Sequence, residues 1–432
     1  MNLFLMMATR FSSLFSVLAG LAICIISFVP VFASAQEAPS TETVFAQSKQ
    51  RIAQIRILEK SANTKASLGS GFIVNAQGLI ITNYHVISDL VFRPDLYRGE
   101  VYFGDGETRP LRLVNFDAVH DLAIVSTGKT SPEFFDIDPR PQPKGSRVYA
   151  IGTPHDLGFT IVEGTYNGLL SGSLYEKIHY TGAINSGMSG GPAILPDGRV
   201  VGINVATAGN QIGFLVPSVF ALRLLKQPPL GKMPALEALR RQLLDNQANI
   251  VASITRQPLP TANFHGYRVP VTLGDFSKCW ADTDQQISAI YQRFSQQCSS
   301  EDDLFLYREH STGKLEFQHD YISAPKLNTL RFYNLFQQFF ERPYNDMGGP
   351  PEDMGQFECK TDFVARNGLK MKLALCVRSY KRLPGLFDMI LKIATLNQNH
   401  EGLQSSYQVS GVSFANASKL AYQFAGAFAW QK

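Results

Sequence analysis

Between residues 69 and 216 the chain is a succession of short apolar runs cut by turn residues. Phe72-Ile73-Val74 and Leu79-Ile80-Ile81 flank a turn at residues 75–78, and Val101-Tyr102-Phe103 precedes Gly104-Asp105-Gly106. Further runs occupy residues 111–116, 122–125, 148–151, 159–162, 178–180, 193–195, 200–205 and 212–216. Asp197-Gly198 is a hairpin-turn dipeptide. About a dozen short strands at this spacing predict a barrel or sandwich rather than βαβ units. Upstream, residues 36–42 are a polar leader, and residues 44–60 read as a helix running into a strand.

The pattern changes after Val216. Residues 219–225 predict a short helix, Gln227-Pro228-Pro229-Leu230-Gly231 a linker, and Pro234 opens a helix with Leu236, Leu239, Leu243 and Leu244 on one face. Asp282 and Gln285 form an N-terminal box before Ile287, Ile290, Tyr291 and Phe294, predicting another helix. Pro325 begins a further one, carrying Leu327, Leu330 and Phe339 and stopped before Pro343, and residues 346–353 form a Gly/Pro-rich loop. Tyr422, Phe424, Phe428 and Trp430 read as one packed helix face. Asn367-Gly368 is a type I′ turn signal between two strands. The expected organisation is a leader and helix at 36–65, a β domain at 66–227, a linker at 228–234 and a mixed α+β accessory domain at 235–432.

The N-terminus adds a destination. Arg10 precedes an apolar run from residue 11 to 32, and Ala33-Ser34-Ala35 fits a cleavage site, so residues 1–35 read as a signal peptide. An uncleaved anchor is the alternative, because the run is long enough to span a bilayer. Either way the remainder is exported, to the periplasm of a bacterium or beyond it, with no stable membrane insertion once the signal is removed. Of five cysteines, Cys24 lies in the signal, leaving Cys279, Cys298, Cys359 and Cys376 for disulfides. With Arg366 opposite Leu369 in the hairpin, Cys359 faces Cys376 at a non-hydrogen-bonded position, where a Cα separation of about 4.5 Å suits a bridge. Cys279 and Cys298 are worse placed, at the two ends of a predicted helix roughly 24 Å long. The two inferences compete, since a complete set that includes Cys359–Cys376 requires Cys279–Cys298. A net charge of +4 with 18% charged residues points to no nucleic-acid partner.

Candidate chemistry centres on Gly187-Met188-Ser189-Gly190-Gly191-Pro192. A serine between glycines and close before proline sits on a tight turn, exposed, with backbone N–H groups free to point at a neighbouring oxygen. That is what an acyl-transfer nucleophile with an oxyanion hole requires. His85 ends an apolar strand at Thr82-Asn83-Tyr84-His85 and is the candidate base. Asp121 immediately precedes four apolar residues and is the candidate carboxylate, since a partly buried aspartate needs a partner such as an imidazole N–H. Gly187-x-Ser189-x-Gly191 also fits a nucleophile elbow, but that motif needs a helix directly after the serine, which Gly190-Gly191-Pro192 forbids. No histidine or cysteine cluster has metal-ligand spacing and no phosphate-binding loop occurs, so no metal or cofactor is expected.

Taken together, Ser70-Gly71-Phe72-Ile73-Val74, Thr82-Asn83-Tyr84-His85-Val86, Asp121-Leu122-Ala123-Ile124 and the 183–192 segment resemble the trypsin-like serine peptidases, and most closely the bacterial HtrA (Deg) branch. Gly202-Ile203-Asn204 and residues 212–217 extend the likeness. The resemblance implies a chymotrypsin-like double six-stranded β-barrel with Ser189 as nucleophile, His85 as general base and Asp121 as its orienting partner. It also implies backbone N–H groups of Gly187 and Ser189 as the oxyanion hole, and Ala183, Ile203, Asn204 and Gly213 as substrate contacts. Met188 replaces the aspartate that trypsin-like digestive enzymes pair with a freed N-terminus, so activation by that ion pair is not expected. Ala183 stands where trypsin carries its specificity aspartate, so a small or medium apolar residue is expected before the scissile bond. No PDZ pattern follows residue 228. The expected function is an exported serine endopeptidase acting on proteins or peptides, with a catalytically silent protein-binding scaffold as the rival; oligomeric state is left open.

Overall fold

The runs that alternate along 52–126 and 147–217 become strands whose two faces serve two different cores. The computed structural model of the protein describes residues 39–284, 290–342, 347–396 and 398–430. The signal reading of residues 1–35, with Cys24, lies outside them, as do Gln285, Ile287 and Asp346. Helix α1 (Thr41–Ser48) leads into strand β1 (Ile52–Glu59). Strands β2 (Lys65–Ile73) and β3 (Ile80–Thr82) follow, then helix α2 (Tyr84–Phe92). Next come β4 (Tyr97–Phe103), β5 (Thr108–Pro110), β6 (Arg112–Asp117) and β7 (Leu122–Ser126). These strands form one sheet in the order β5-β4-β1-β2-β3-β7-β6.

A second set closes into a six-stranded barrel: β8 (Arg147–Gly152), β9 (Thr160–Leu169), β10 (Ile178–Thr181), β11 (Pro192–Ile194), β12 (Val200–Thr207) and β13 (Gly213–Pro217). The first set departs from the expected six-stranded barrel. It has seven strands, and its terminal strands β5 and β6 are not hydrogen-bonded to one another but joined covalently through Leu111. Pro110 has no N–H to offer a ladder, and Leu111 N–H turns back to Gly99 O at 2.9 Å. Along β7, Ala123 and Val125 point into the first sheet's own core, while Leu122 and Ile124 join Phe72, Ile81, Tyr149, Ile151 and Ile203 in a core shared by the two sets. On β8 the same period of two sends Val148 and Ala150 into the closed barrel and Tyr149 and Ile151 outward to the shared core. Strands buried on both faces read as continuous apolar runs.

Helix α3 (Ser218–Leu225) and helix α4 (Ala235–Ile254, opened by Pro234) carry the chain into its second half. Strands β14 (Thr261–Phe264) and β15 (Tyr267–Pro270) come first, followed by β16 (Ser277–Asp284) and β17 (Gln292–Ser300). A small hairpin of β18 (Leu304–Tyr307) and β19 (His310–Thr312) precedes β20 (Leu315–Ser323) and helix α5 (Thr329–Glu341). Then come β21 (Glu358–Arg366), β22 (Leu369–Ser379), β23 (Phe387–Thr395), β24 (Glu401–Val412), helix α6 (Phe414–Gly426) and β25 (Ala429–Trp430). An antiparallel sheet in the order β16-β17-β20-β24-β23-β22-β21 is packed on one face by α5 and on the other by α6 with the end of α4.

Four expectations for this half are corrected. The described residues at the ends of the helix expected over 282–294 are strand instead: Asp282 lies in β16 and Phe294 in β17, which pair with each other, and Ile290, which was to sit on the helix's apolar face, is 61% exposed. Pairing along a whole strand outweighs one local capping signal. The same register sets Cys279 opposite Cys298, so their Cα atoms lie 4.1 Å apart and the bridge forms. Cys359 pairs with Cys376 in the register expected from Asn367-Gly368, with Cα atoms 4.0 Å apart. Both competing bridges are therefore present, one on each edge hairpin of the sheet. Helix α5 starts later than Pro325, where the Asn328 side chain accepts from Arg331 N–H, and Leu330 is exposed. The C-terminal aromatics do not share one helix face: Phe424 and Phe428 are fully buried, Tyr422 is exposed, and Trp430 pairs on β25 with Tyr267.

Two stability predictions follow from this packing. Replacing Cys359 and Cys376 with serine should remove about 2–4 kcal/mol from the C-terminal sheet, read as a lower urea midpoint. Asp138, on the loop before β8, is almost wholly buried and accepts from Arg140 at 2.8 Å and from Arg199. Hydrogen bonding to Arg140 brings its pKa down from the ordinary 3.8 to about 2. A lowered carboxylate pKa stabilises the fold fully above its unfolded value, and the contribution fades as pH falls from about 4 towards 2. Asp138→Asn should accordingly lower the melting temperature at neutral pH and flatten the pH dependence in that acid window.

Candidate active site

The 183–192 loop is fixed by where its carbonyl groups go. Ser186 O accepts from His155 N–H at 2.9 Å, and Gly187 O from Ser70 Oγ at 2.7 Å. Met188 O accepts from Gly191 N–H at 3.0 Å, and Ser189 O from Ser70 N–H at 2.7 Å. Ser70, fully buried on β2, thus clamps two of these carbonyls from the first sheet, and its Oγ also accepts from Thr153 N–H at 2.9 Å. In a planar trans peptide the N–H points opposite to the preceding C=O. With Ser186 O and Met188 O held against the protein, the N–H groups of Gly187 and Ser189 point away from those contacts. Neither has a protein acceptor among the described residues. Gly190 has φ +84°, and a Cβ there would lie 2.3 Å from Ser70 O and 2.3 Å from Thr82 Oγ1, so only glycine fits.

His85 lies in the first turn of α2, directly beyond β3, a helix the sequence reading did not anticipate. Its Nδ1 is 2.6 Å from Asp121 Oδ2, and its backbone N–H donates to Asp121 Oδ1 at 2.7 Å. Asn83 Nδ2 donates to the Asp121 carbonyl at 2.8 Å. Asp121 has φ +55°, a left-handed conformation that aspartate tolerates better than most residues. The carboxylate therefore grips both the ring and the backbone of His85, and their side chains are only 14% and 21% exposed. The neighbouring His120 is occupied elsewhere: its Nδ1 is 2.6 Å from Asp117 Oδ2 and its ring stacks on Phe220.

Ser189 is half-buried, and its Oγ donates to Val205 O at 3.3 Å rather than to the imidazole. Val205 sits where the β12–β13 register shifts between Asn204 and Ala206. The four expected substrate contacts divide. Ala183 is exposed beside the loop, and Gly213 is packed so closely that a Cβ would lie 2.8 Å from Ile184 Cδ1. Ile203 and Asn204 have no exposed surface and cannot touch a substrate with their side chains, which corrects that expectation. Ile203 belongs to the shared core, and Asn204 Nδ2 donates to Ile151 O at 3.0 Å while its backbone brackets Gly190 and Gly191. Met188 is fully buried in the core of the closed barrel. Ser70 entered the sequence reading only as part of a motif, with no role assigned, and no signal there gave a part to Val205 or to Phe305, whose ring from β18 lies 5.1 Å from the His85 ring. Among the described residues no three metal-ligating side chains are grouped to hold an ion.

Comparison with known proteins gives similarities over the first half of the chain. Residues 69–203 match the family model of a trypsin-like peptidase domain. A probable periplasmic serine endoprotease, DegP-like, of Chlamydia pneumoniae is 31% identical over 182 residues, covering 39% of this chain and 36% of that protein. The counterpart in Brucella suis biovar 1 is 32% identical over 171 residues, covering 37% and 32%. The crystal structure of the serine endoprotease from Yersinia pestis, 27% identical, covers 44% of this chain and 67% of that one with a TM-score of 0.38. The chain thus spans about a third of the length of these curated relatives. Residues 69–203 are thus similar to a trypsin-like peptidase domain, and the relatives that the chain resembles are named serine endoproteases of the DegP type.

Proposed function

We propose that the protein is an exported serine endopeptidase that hydrolyses peptide bonds of protein substrates through His85, Asp121 and Ser189. The observation that carries this reading is the pairing of two undirected N–H groups, on Gly187 and Ser189, with a histidine whose Nδ1 is already held by a carboxylate. With Nδ1–H given to Asp121, the imidazole has its lone pair on Nε2 and can act as a base. Ser189 Oγ must first leave its 3.3 Å contact with Val205 O. It then attacks the scissile carbonyl as His85 takes its proton. The oxyanion forms against the N–H groups of Gly187 and Ser189, His85 returns the proton to the departing amine, and water repeats the sequence on the acyl-enzyme.

The signal-like N-terminus, two disulfides and relatives named periplasmic support export. Exposed Ala183 and the tight Gly213–Ile184 contact support a small apolar residue before the scissile bond. Burial of Met188 supports a loop shaped by packing, with no activating ion pair. Residues 235–432 are read as an accessory region to the peptidase. A silent, protein-binding scaffold is the rival reading, favoured by the Ser189–Val205 hydrogen bond.

A fluorophosphonate probe separates the two. The mature protein should label at Ser189 and Ser189→Ala should not; a wild type that stays unlabelled contradicts the peptidase reading. Gly190→Ala should slow labelling by about 10²–10³-fold, the effect of losing one oxyanion donor, with an unchanged far-ultraviolet circular dichroism spectrum.

A further inference from the structure

The hairpin β18–β19 comes from the second half of the chain yet reaches the catalytic histidine. At its start Asp302 is buried and accepts from Lys177 Nζ at 2.6 Å, Leu174 N–H at 2.7 Å and Ser173 Oγ at 3.0 Å. Those three residues lie on the β9–β10 connection of the closed barrel. Four residues on, the Leu306 carbonyl accepts from Tyr84 Oη at 3.3 Å, and Arg308 N–H donates to Asp89 Oδ1 at 3.3 Å, both on α2. Leu304, Leu306 and Tyr307 are buried within the core of the first sheet. The far strand of the hairpin is held by the C-terminal sheet: Thr312 Oγ1 lies 2.8 Å from Tyr380 Oη, which donates to buried Asp388 at 2.5 Å. This short segment is therefore tied to both halves of the peptidase domain and to the region beyond it.

Between these anchors lies Phe305, only partly buried, with its ring tilted 40° against the imidazole of His85. Asp121 occupies one edge of that imidazole, and Phe305 lies against its ring. A substrate whose scissile carbonyl sits at Ser189 must pass the part of His85 that remains exposed. From this juxtaposition we infer that Phe305 forms a wall of the substrate cleft and limits the size of the substrate side chain that can lie against His85. The inference rests on the peptidase reading and adds a specificity residue from outside the peptidase domain. A bulky aromatic at that place disfavours large substrate residues and accepts small ones, and removing it opens a volume that a large side chain can fill. Anchoring at Asp302, Leu306 and Arg308 keeps the wall in position, so the selectivity belongs to the full chain.

The test uses the full mature chain and peptides varied from glycine to phenylalanine on either side of the residue preceding the scissile bond. In Phe305→Ala the ratio of kcat/KM for bulky over small residues at one of these positions should rise by about tenfold or more, mainly through KM. Phe305→Trp, which keeps the packing but enlarges the wall, should lower the same ratio, and Phe305→Leu should fall between wild type and alanine. A ratio unchanged within about twofold in both Phe305→Ala and Phe305→Trp, with normal fluorophosphonate labelling, overturns this inference alone. A wild type that neither labels nor cleaves overturns the peptidase reading and this one with it. Should Phe305→Ala fail to fold, the tryptophan and leucine variants decide between the same outcomes.

Discussion

Four successive carbonyl groups, from Ser186 to Ser189, are held inward by donors outside the turn or at its end, and the rest of the site depends on that. A glycine-rich turn has many accessible conformations, and only a few leave two N–H groups unspent and convergent. Here the selection is made by hydrogen bonds from two different sheets. Ser70 reaches across from β2 with both its Oγ and its N–H, His155 holds the other end, and Asn204 brackets Gly190 and Gly191 from β12. Because Ser70 belongs to the first sheet and the loop to the closed barrel, the donors are shaped only when the two sets are packed together. The shared core of Phe72, Ile81, Tyr149, Ile151 and Ile203 thus shapes the proposed site as well as holding the two sets together.

The same interface positions the proposed base, His85. His85 starts α2 immediately beyond β3, whose Ile81 is in the shared core, and Asp121 immediately precedes Leu122 in that core. Two neighbouring strands of one ladder, Ile81 opposite Ile124, therefore set the distance between imidazole and carboxylate. The C-terminal half adds a third layer, closing over α2 with Leu304, Leu306 and Tyr307. Burying such side chains is worth roughly 1.5–3 kcal/mol each, enough to hold the hairpin against α2 without a covalent tie.

Much of this was legible before any coordinates, for physical reasons that differ from element to element. Short apolar runs bounded by turn residues located the strands of the first sheet and of the closed barrel, because burial on both faces leaves little room for polar side chains. The Asn367-Gly368 turn fixed a register, and with it Cys359 opposite Cys376. Ser189 stood out on its glycine turn before Pro192, His85 at the end of an apolar strand and Asp121 at the start of another. What stayed hidden was non-local. Asp282 and Phe294 belonged to a helix-like spacing, and only the pairing of β16 with β17, and of β17 with β20, shows why they lie in strands. Ile203 and Asn204 are next to the site in sequence pattern but face inward, which depends on the pleat of β12. Ser70 and Phe305 act across more than a hundred residues of chain, and nothing in a serine or a phenylalanine alone announces such a partner.

The central claim is that His85 and Ser189 act on the same substrate atom pair in the folded protein. A peptidyl chloromethyl ketone with alanine at its reactive end tests this most directly, because the serine must first engage the ketone before the imidazole is alkylated. Peptide mapping by mass spectrometry should find the adduct on His85, alone among the eight histidines, and should find none in Ser189→Ala. Alkylation of another histidine, or of His85 equally in the absence of Ser189, would contradict the account.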